Sequence, residues 1–381
     1  MFDRTKINFI KRWWLSIDRT IFIIIFIVLI LGNIFVALAS PVVANRIGIA
    51  TNTFIIKNII FSILGFCVII VVSTFEEEKI KILVPIGFTF LILLMIVVLE
   101  YGTRNKGAVR WIYLFGFSLQ PSEIIKPVFV VLTSFVFTNF KKKGNFNILF
   151  ATFLYIILSF LLVLQPDIGM LLLLSVIFVV QLFLIMVQLK YFIWLGSLAS
   201  IAFVSLYFLF THFHERINTF FMSLFFGGEK TYQVQKSLSA FSNGGFLGKG
   251  PLEGSVKNYI PDAHTDFIFS VIGEEFGAIV CIFIISIFFY ITIKFILKVV
   301  DNSNNYKYLS VVSLSLLFLF QTIINIGVTL NLLPTKGMTL PLISYGGSSM
   351  ISSALTIGLL FAFTKKTYNN LPSRKILETE V

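Results

Sequence analysis

Long apolar runs recur along the chain and are separated by short polar segments. Each run has about 20 residues, the length at which an α-helix crosses the hydrocarbon core of a bilayer. Backbone polar groups in that core must be satisfied within the segment, which favours helices. The pattern therefore predicts an all-α membrane protein with ten transmembrane helices, at residues 20–41, 54–74, 80–99, 121–139, 146–164, 168–187, 190–211, 266–297, 308–331 and 340–364.

The basic residues alternate along the chain and indicate its orientation. Lys and Arg in short loops favour the cytoplasmic side of a membrane, and an even number of helices places both termini on the same side. The segments rich in bases are the N-terminal residues 1–19, the loops that carry Lys79 and Lys81, Lys141 to Lys143, Lys190, and Lys294, Lys298 and Lys307, and the tail 365–381. Both termini are therefore predicted to be cytoplasmic.

Composition agrees with a single polytopic membrane domain over residues 1–381. Of the residues, 57% are hydrophobic and 13% are charged, which is far from the balance of a soluble domain. The net charge of +12 is explained by topology and by attraction to anionic membrane lipid. The bases are scattered over loop ends without a nucleic-acid motif, so no nucleic-acid partner is predicted.

One predicted loop is too long to be a simple connection. Residues 212–265 form a large extracytoplasmic loop between the seventh and eighth helices, and loops of that length are usually functional or disordered. This one carries aromatic residues such as Phe220, Tyr232 and Tyr259 among glycines. Aromatic surface of this kind favours packing against the bundle or the membrane.

Charged residues also occur within the fourth predicted helix and at the junction of the fifth and sixth. Glu123 and Lys126 are three residues apart on one helix face, and Asp167 follows Pro166 at a helix junction. Lys126 with either Glu123 or Asp167 would make a buried ion pair that fixes helix register, while direct contact with a substrate is the alternative.

The segment 258–277 contains the carboxylates that need explanation most. Asp266 lies at the mouth of an apolar span, where a charged residue is costly and marks a candidate functional site. The alternative is a helix N-cap formed with Thr265. Glu274, two helical turns beyond Asp266, and Glu275 are expected to support packing or cavity polarity rather than to react.

Metal and cofactor sites have little support in the sequence. His212 and His214 form an H-x-H pair without further placed ligands, and Cys67 and Cys281 lie in separate apolar runs and are expected to pack in the core. No phosphate-binding loop or dinucleotide fingerprint is present. The sequence indicates no required cofactor. It leaves open a requirement for a divalent cation, Mg²⁺ or Mn²⁺.

Several motifs together resemble one family over nearly the whole chain. They are Arg110-Trp-Ile, Gln120-Pro-Ser-Glu123, Gln165-Pro-Asp-Ile-Gly169, Tyr232 to Leu238, Pro261 to Gly277, and Leu333 to Ser349. These motifs are similar to those of the SEDS family (shape, elongation, division and sporulation; FtsW, RodA and SpoVE). His264-Thr265-Asp266 and Pro334-Thr335-Lys336-Gly337 resemble the cell-division branch more than the elongation branch.

The resemblance implies a ten-helix peptidoglycan glycosyltransferase of the cytoplasmic (inner) membrane. Such an enzyme polymerises lipid II at the outer face, at the division septum, together with a class B penicillin-binding protein and other division proteins. In the family the Asp that matches Asp266 is the essential catalytic residue. We expect Asp266 to act as the general base for the acceptor hydroxyl.

The resemblance also suggests residues that would contact the substrate. Arg110, Arg216 and Lys336 are bases on the predicted outer side and would hold the diphosphate of the departing lipid carrier. His264, close to Asp266 in sequence, would tune that carboxylate and is a further substrate-binding candidate. Ser344 lies in the second long motif and is included among the substrate-binding candidates.

The sequence is also compatible with three alternative functions. A transporter or flippase for lipid-linked precursors would use intramembrane charges and Pro-broken helices. A scaffold that recruits division enzymes would tolerate loss of Asp266. An elongation-type polymerase would share the chemistry but serve another stage of growth.

Overall fold

The computed structural model is a helical bundle with one small sheet at one end. It describes residues 9–105, 108–114, 117–138, 146–185, 196, 207–208, 211–225, 231–301, 304–335 and 337–366. The helices are α1 Phe9–Ser16, α2 Arg19–Arg46, α3 Thr53–Ser73, α4 Glu77–Tyr101, α5 Pro121–Thr138, α6 Phe146–Leu164, α7 Ile168–Leu184, α8 Thr211–Phe225, α9 Tyr232–Gly244, α10 Ile268–Leu297, α11 Asn305–Thr329 and α12 Gly347–Thr364.

Eight of these helices are long and apolar enough to span a membrane: α2 to α6 and α10 to α12. Helix α7 is apolar but has 17 residues. The predicted seventh span, 190–211, lies almost entirely outside the described residues. The structure therefore confirms a polytopic helical membrane protein, and the prediction of ten spans stays a prediction.

The interior of the bundle is formed by α5, α11 and α12, which are buried over most of their length. Helices α2, α3, α4, α6 and α10 surround them and expose apolar side chains such as Ile63, Ile86 and Phe160. Exposed apolar faces are expected where a helix meets lipid rather than water. Cys281 is buried as predicted, but the prediction for Cys67 is wrong because α3 turns that side chain outward.

The fold departs from the predicted all-α class in one place. The strands β1 Thr103–Asn105, β2 Ala108–Leu114 and β3 Phe117–Leu119 form an antiparallel sheet in the order β1-β2-β3. Here the chain connects α4 to α5. Pairing the strands satisfies backbone groups that a simple loop would leave to water.

The predicted large outer loop contains α8, α9 and a 3₁₀ turn at Val256–Tyr259. Helix α9 packs along the first turns of α10, and Gly244 lies so close to Gly273 and Glu274 that a Cβ atom there would clash. The loop is therefore attached to the bundle through α10.

Helix α10 is broken at Gly277, whose φ of 79° and ψ of 177° are not helical. The residues after α9 satisfy the backbone groups freed by this break. Ala278 N donates to Gly245 O at 3.0 Å, and Gly250 N donates to Glu275 O at 3.0 Å. Irregular backbone at this depth is tolerated because a neighbouring segment supplies its hydrogen bonds.

The last predicted span begins later than expected. Residues 340–346 are turns, and α12 starts at Gly347. Pro341 removes a backbone donor and Leu342 has a φ of 61°, so a helix cannot continue through them. This irregular segment lies directly against the turn that carries Asp266.

Candidate active site

Asp266 lies in the turn that leads into α10. The N-cap of α10 is Phe267, so neither Asp266 nor Thr265 occupies the cap position considered from the sequence. Thr265 N donates to Asp262 O at 3.1 Å, which closes the turn immediately before Asp266. The Asp266 carboxylate is thus carried on a folded turn at the mouth of the bundle.

Three consecutive carbonyls of this turn accept hydrogen bonds from the other half of the site. Tyr345 N donates to His264 O at 2.9 Å. Ser344 Oγ donates to Thr265 O at 2.7 Å. Asn325 Nδ2 donates to Asp266 O at 2.8 Å. These bonds fix the backbone that carries the candidate catalytic carboxylate.

The Asp266 carboxylate lies over Gly337. A Cβ atom added at Gly337 would be 2.8 Å from Asp266 Oδ2, so a side chain would displace the carboxylate. Asn325 Nδ2 also donates to Met338 O at 2.6 Å. The segment next to Lys336 is therefore held beside Asp266, although Lys336 itself lies outside the described residues.

Ser344 has a supporting position. It is 3% exposed, and its hydroxyl accepts from Leu340 N at 2.8 Å while donating to Thr265 O. With both functions in use, Ser344 is placed to hold the two segments together rather than to reach a substrate.

His264 packs among aromatic rings. Its ring centre lies 4.4 Å from that of Phe54 and 5.2 Å from that of Tyr345. Burial lowers the pKa of His264 to about 4, against the opposing charge of Asp262. The imidazole is therefore neutral near pH 7, and Nδ1 has no hydrogen-bond partner among the described residues.

The buried ion pair predicted in the bundle is formed by Lys126 and Glu123. Lys126 Nζ lies 2.6 Å from Glu123 Oε2 and donates to Gln321 Oε1 at 2.9 Å. Ser352 Oγ donates to Glu123 O at 2.6 Å. The cluster joins α5 to α11 and α12, as expected of an ion pair that fixes helix packing.

Asp167 takes a different partner. Its Oδ1 lies 3.7 Å from Arg110 Nη1, and its Oδ2 accepts from Gln120 Nε2 at 3.3 Å. Arg110 Nε also donates to Gln165 O at 2.9 Å. The structure therefore places Arg110 as a link between β2 and the α6 to α7 junction, where much of its donor capacity is in use.

Glu274 and Glu275 anchor the outer loop. Glu274 accepts from Asn243 Nδ2 at 2.8 Å and from Val256 N and Lys257 N at 2.7 Å each. Lys257 Nζ pairs with Glu275 Oε1, and both side chains are almost fully buried. Sequence spacing did not find Lys257, because it lies eighteen residues from its partner.

Two further supports of the site were not predicted. Arg46, at the end of α2, donates to the carbonyls of Asn258 and Ile260 in the loop before Asp266. Asn325 lies in α11, far from Asp266 along the chain. The polar character of Asn325 inside an apolar helix is the one signal of this support that the sequence offers.

Some predicted groups lie outside what the structure describes. The backbone of Arg216 is part of α8, but its side chain is not described, and neither is the side chain of His212. His214 Nε2 lies 2.7 Å from Asn218 Nδ2. Among the described residues there is no group of three or more His, Cys, Asp and Glu side chains that could hold a metal ion.

An open cleft lies between α8 and the segment that leads to Lys336. It encloses only about 10 Å³, room for about one water molecule, and is lined by Thr219, Phe220, Ser223, Thr231, Asn331 and Thr335. The cleft is therefore too small to hold a sugar.

Solved structures show where this architecture is found. A chain of a peptidoglycan synthase complex that coordinates polymerization and crosslinking superimposes with a TM-score of 0.76 at 22% identity, covering 92% of this chain and 98% of that one. The Thermus thermophilus rod shape determining protein RodA matches with a TM-score of 0.68 at 20% identity, covering 92% of this chain and 97% of RodA. These likenesses establish the fold.

Sequence comparisons establish the family. A family model described as "Cell cycle protein" and covering FtsW, RodA and SpoVE matches residues 18–369. A Caulobacter vibrioides protein named probable peptidoglycan glycosyltransferase FtsW is 34% identical over 96% of this chain and 93% of its own length. A Coxiella burnetii protein of the same name is 36% identical over 93% of this chain and 98% of its own length. With a family model matched over residues 18–369 and relatives at 34% and 36% identity over nearly their whole length, the chain belongs to the FtsW/RodA/SpoVE family of cell cycle proteins.

Proposed function

We propose that the protein is a peptidoglycan glycosyltransferase that polymerises lipid II into glycan strands during septal cell-wall synthesis. The observation that carries this function is the match, at 34% identity over 96% of the chain, to a relative named for that activity. The anchored turn of Asp266 supplies a site for the chemistry. The reaction would take place at the outer face of the cytoplasmic membrane.

In this mechanism Asp266 is the general base. Its carboxylate takes the proton of the acceptor sugar 4-hydroxyl as that oxygen forms a bond to C1 of the donor sugar. The bond between C1 and the diphosphate breaks, and the lipid diphosphate leaves with the electron pair. A single displacement converts the α-linked donor to a β-linked product without a covalent enzyme intermediate.

The turn that carries Asp266 is held rigidly, as a general base requires. A general base must lie within hydrogen-bond reach of the proton it removes, and a misplacement of about 1 Å can cost about 100-fold in rate. The three donors on the carbonyls of His264, Thr265 and Asp266 hold the turn in one position. Gly337 leaves room for the carboxylate beside the Lys336 segment.

Positive groups would balance the departing diphosphate. Lys336 adjoins Gly337 in sequence and is our first candidate, with Arg216 of α8 as the second. Arg110 contributes indirectly, because its guanidinium pairs with Asp167. Any Mg²⁺ or Mn²⁺ would be held largely by substrate phosphates, as is usual where a protein offers only one or two carboxylates.

A class B penicillin-binding protein is the proposed partner. One structural neighbour comes from a complex that coordinates polymerization and crosslinking, and crosslinking of new strands requires a transpeptidase. Exposed apolar helix faces provide surface for a membrane-spanning partner. The relatives named FtsW favour the division septum of the inner membrane over the elongation machinery.

The decisive experiment is polymerisation of purified lipid II by the purified protein with its candidate partner. Wild type, Asp266→Asn and Asp262→Asn are compared in liposomes. Asp262→Asn removes a carboxylate from the same turn and is the matched control. We expect polymer from wild type and the control, and none from Asp266→Asn.

Other outcomes would redirect the proposal. If Asp266→Asn still formed polymer, another residue would have to be the general base. Absence of polymer from folded wild type bound to its partner would contradict the enzyme and favour a flippase, which a lipid II translocation assay would then detect. Mg²⁺, Mn²⁺ and a chelator, added in turn, test the cation requirement.

A further inference from the structure

The turn between α1 and α2 gathers basic side chains at the end of the bundle predicted to face the cytoplasm. Lys298 Nζ, just after α10, lies 2.7 Å from Asp18 Oδ2. Lys366 N, just after α12, donates to Ser16 O at 2.9 Å. Arg19 follows Asp18, and its guanidinium lies 5.8 Å from the Trp14 ring centre. Four separate elements therefore meet around one turn.

Positive charge exceeds negative charge in this cluster. Lys294 lies one helical turn from Lys298 on α10. Lys298 is the base that pairs with Asp18, and Lys294, Lys366 and Arg19, which follows Asp18 in the chain, add positive charge at the same end of the bundle. Burial and the charges of Lys294 and Lys366 lower the pKa of Lys298, although the hydrogen bond to Asp18 opposes them. A second anion at this position would relieve the repulsion among the lysines.

An apolar surface adjoins the basic cluster on α10. Tyr290, Ile293 and Leu297 are 41%, 52% and 63% exposed, and their three- and four-residue spacing places them on the face that carries Lys294. Lys294 Nζ lies 5.9 Å from the Tyr290 ring centre. The surface is therefore apolar toward the bilayer and basic at its edge.

Helix α1 closes the other side of the cluster. Trp13 Nε1 donates to Ser73 Oγ at 2.7 Å, which ties α1 to the end of α3. Trp13 and Trp14 also pack against Phe22 of α2. Tryptophan is favoured at the boundary between lipid and water, so α1 fits a helix that lies at head-group level.

We propose that this cluster binds the head group of an anionic phospholipid of the inner leaflet, with the acyl chains along Tyr290, Ile293 and Leu297. Basic pockets between transmembrane helices on the cytoplasmic side are suited to anionic head groups. A soluble phosphate would use the lysines alone. The adjoining apolar face favours a lipid, which uses both.

The experiment counts bound lipid on the full-length protein. Protein in neutral detergent is titrated with phosphatidylglycerol, and bound molecules are counted by native mass spectrometry alongside the thermal midpoint. We expect Lys294→Gln and Lys366→Gln each to weaken binding about five-fold, and the double variant to weaken it more than ten-fold. Lys79→Gln removes an exposed charge from α4 at the same end of the bundle and should leave binding unchanged.

Several results would overturn the proposal. One is binding of phosphatidylcholine as tight as that of phosphatidylglycerol. Another is a loss of phosphatidylglycerol binding in Lys79→Gln as large as in the Lys294 and Lys366 variants. If inorganic phosphate raised the thermal midpoint as much as the lipid does, the ligand would be a soluble anion and not a lipid. Thermal midpoints measured without lipid establish that the variants are folded, and Arg19→Gln provides a second change in the same cluster should a lysine variant fail to fold.

Discussion

Asn325 joins Asp266 to Met338 through a single amide group. Its Nδ2 donates to Asp266 O at 2.8 Å and to Met338 O at 2.6 Å, so both amide hydrogens are used. The residue is 1% exposed and reaches from α11 between the Asp266 turn and the segment beside Lys336. Asn325 is therefore the one side chain outside these two segments that bonds to both of them among the contacts described above.

Replacement of Asn325 should slow turnover more than it weakens substrate binding. Asn325→Leu keeps a similar volume but leaves the two carbonyls without their donor. We expect kcat for lipid II polymerisation to fall at least about ten-fold, because small displacements of a catalytic group are costly. KM should stay within about two-fold, since Asn325 bonds only to backbone carbonyls and none of the proposed diphosphate-binding bases is altered.

The control for this variant is Thr322→Val, one turn earlier on α11. Thr322 is 2% exposed and donates only to Phe318 O of its own helix. It should retain the wild-type kcat. A loss of kcat in Thr322→Val as large as in Asn325→Leu, or a changed KM with intact kcat, would contradict a positioning role for Asn325.

Gly337→Ala tests the room that the Asp266 carboxylate requires. The new Cβ atom would lie 2.8 Å from Asp266 Oδ2, so the carboxylate must move. We expect polymerisation to fall about 100-fold while the protein still folds. Gly87→Ala in α4 is the control, since its new Cβ would meet only Val128 Cγ1 at 4.0 Å. Full activity in Gly337→Ala would show that the carboxylate can rotate away.

The pair of Lys257 and Glu275 should dominate the stability of the outer loop. Lys257→Met would leave the carboxylate of Glu275 buried without its cation, which typically costs about 3–5 kcal/mol. The double variant Lys257→Met/Glu275→Gln removes both charges and should recover much of this loss. Thermal unfolding in detergent measures each. A double variant no more stable than the single one would mean that the pair contributes through other contacts.

His264 should make stability depend on pH. Its folded pKa of about 4 lies below its ordinary value of 6.5, so the unfolded chain binds a proton first as the pH falls. The stability from the neutral imidazole is complete above about pH 6.5 and is lost between pH 6.5 and 4. The total effect is about 3 kcal/mol, from the size of the shift.

His264→Phe isolates this contribution, because the aromatic ring is kept and the titration is removed. Thermal midpoints of wild type and variant are compared from pH 7.5 to 4. As the pH falls, we expect the thermal midpoint of the wild type to decrease relative to that of the variant. Parallel curves would show that His264 keeps an ordinary pKa in the folded protein.

Local patterns predicted much of the architecture. Apolar runs gave eight of the helices long enough to span a membrane, with ends within a few residues for most of them. They did not reveal the break at Gly277 or the turns over residues 340–346, because both lie inside runs of the length expected for a membrane span. Nor did they reveal the small sheet before α5, whose strands have three to seven residues.

The sequence by itself determined the membrane class, the family motifs and Asp266 as the candidate base, since each depends on residue type and local spacing. Only the tertiary structure decided which groups meet. It placed Arg110 with Asp167, Lys257 with Glu275, and Asn325 between Asp266 and Met338. These partners are far apart along the chain, and a buried polar group takes whichever partner packing brings within hydrogen-bond distance.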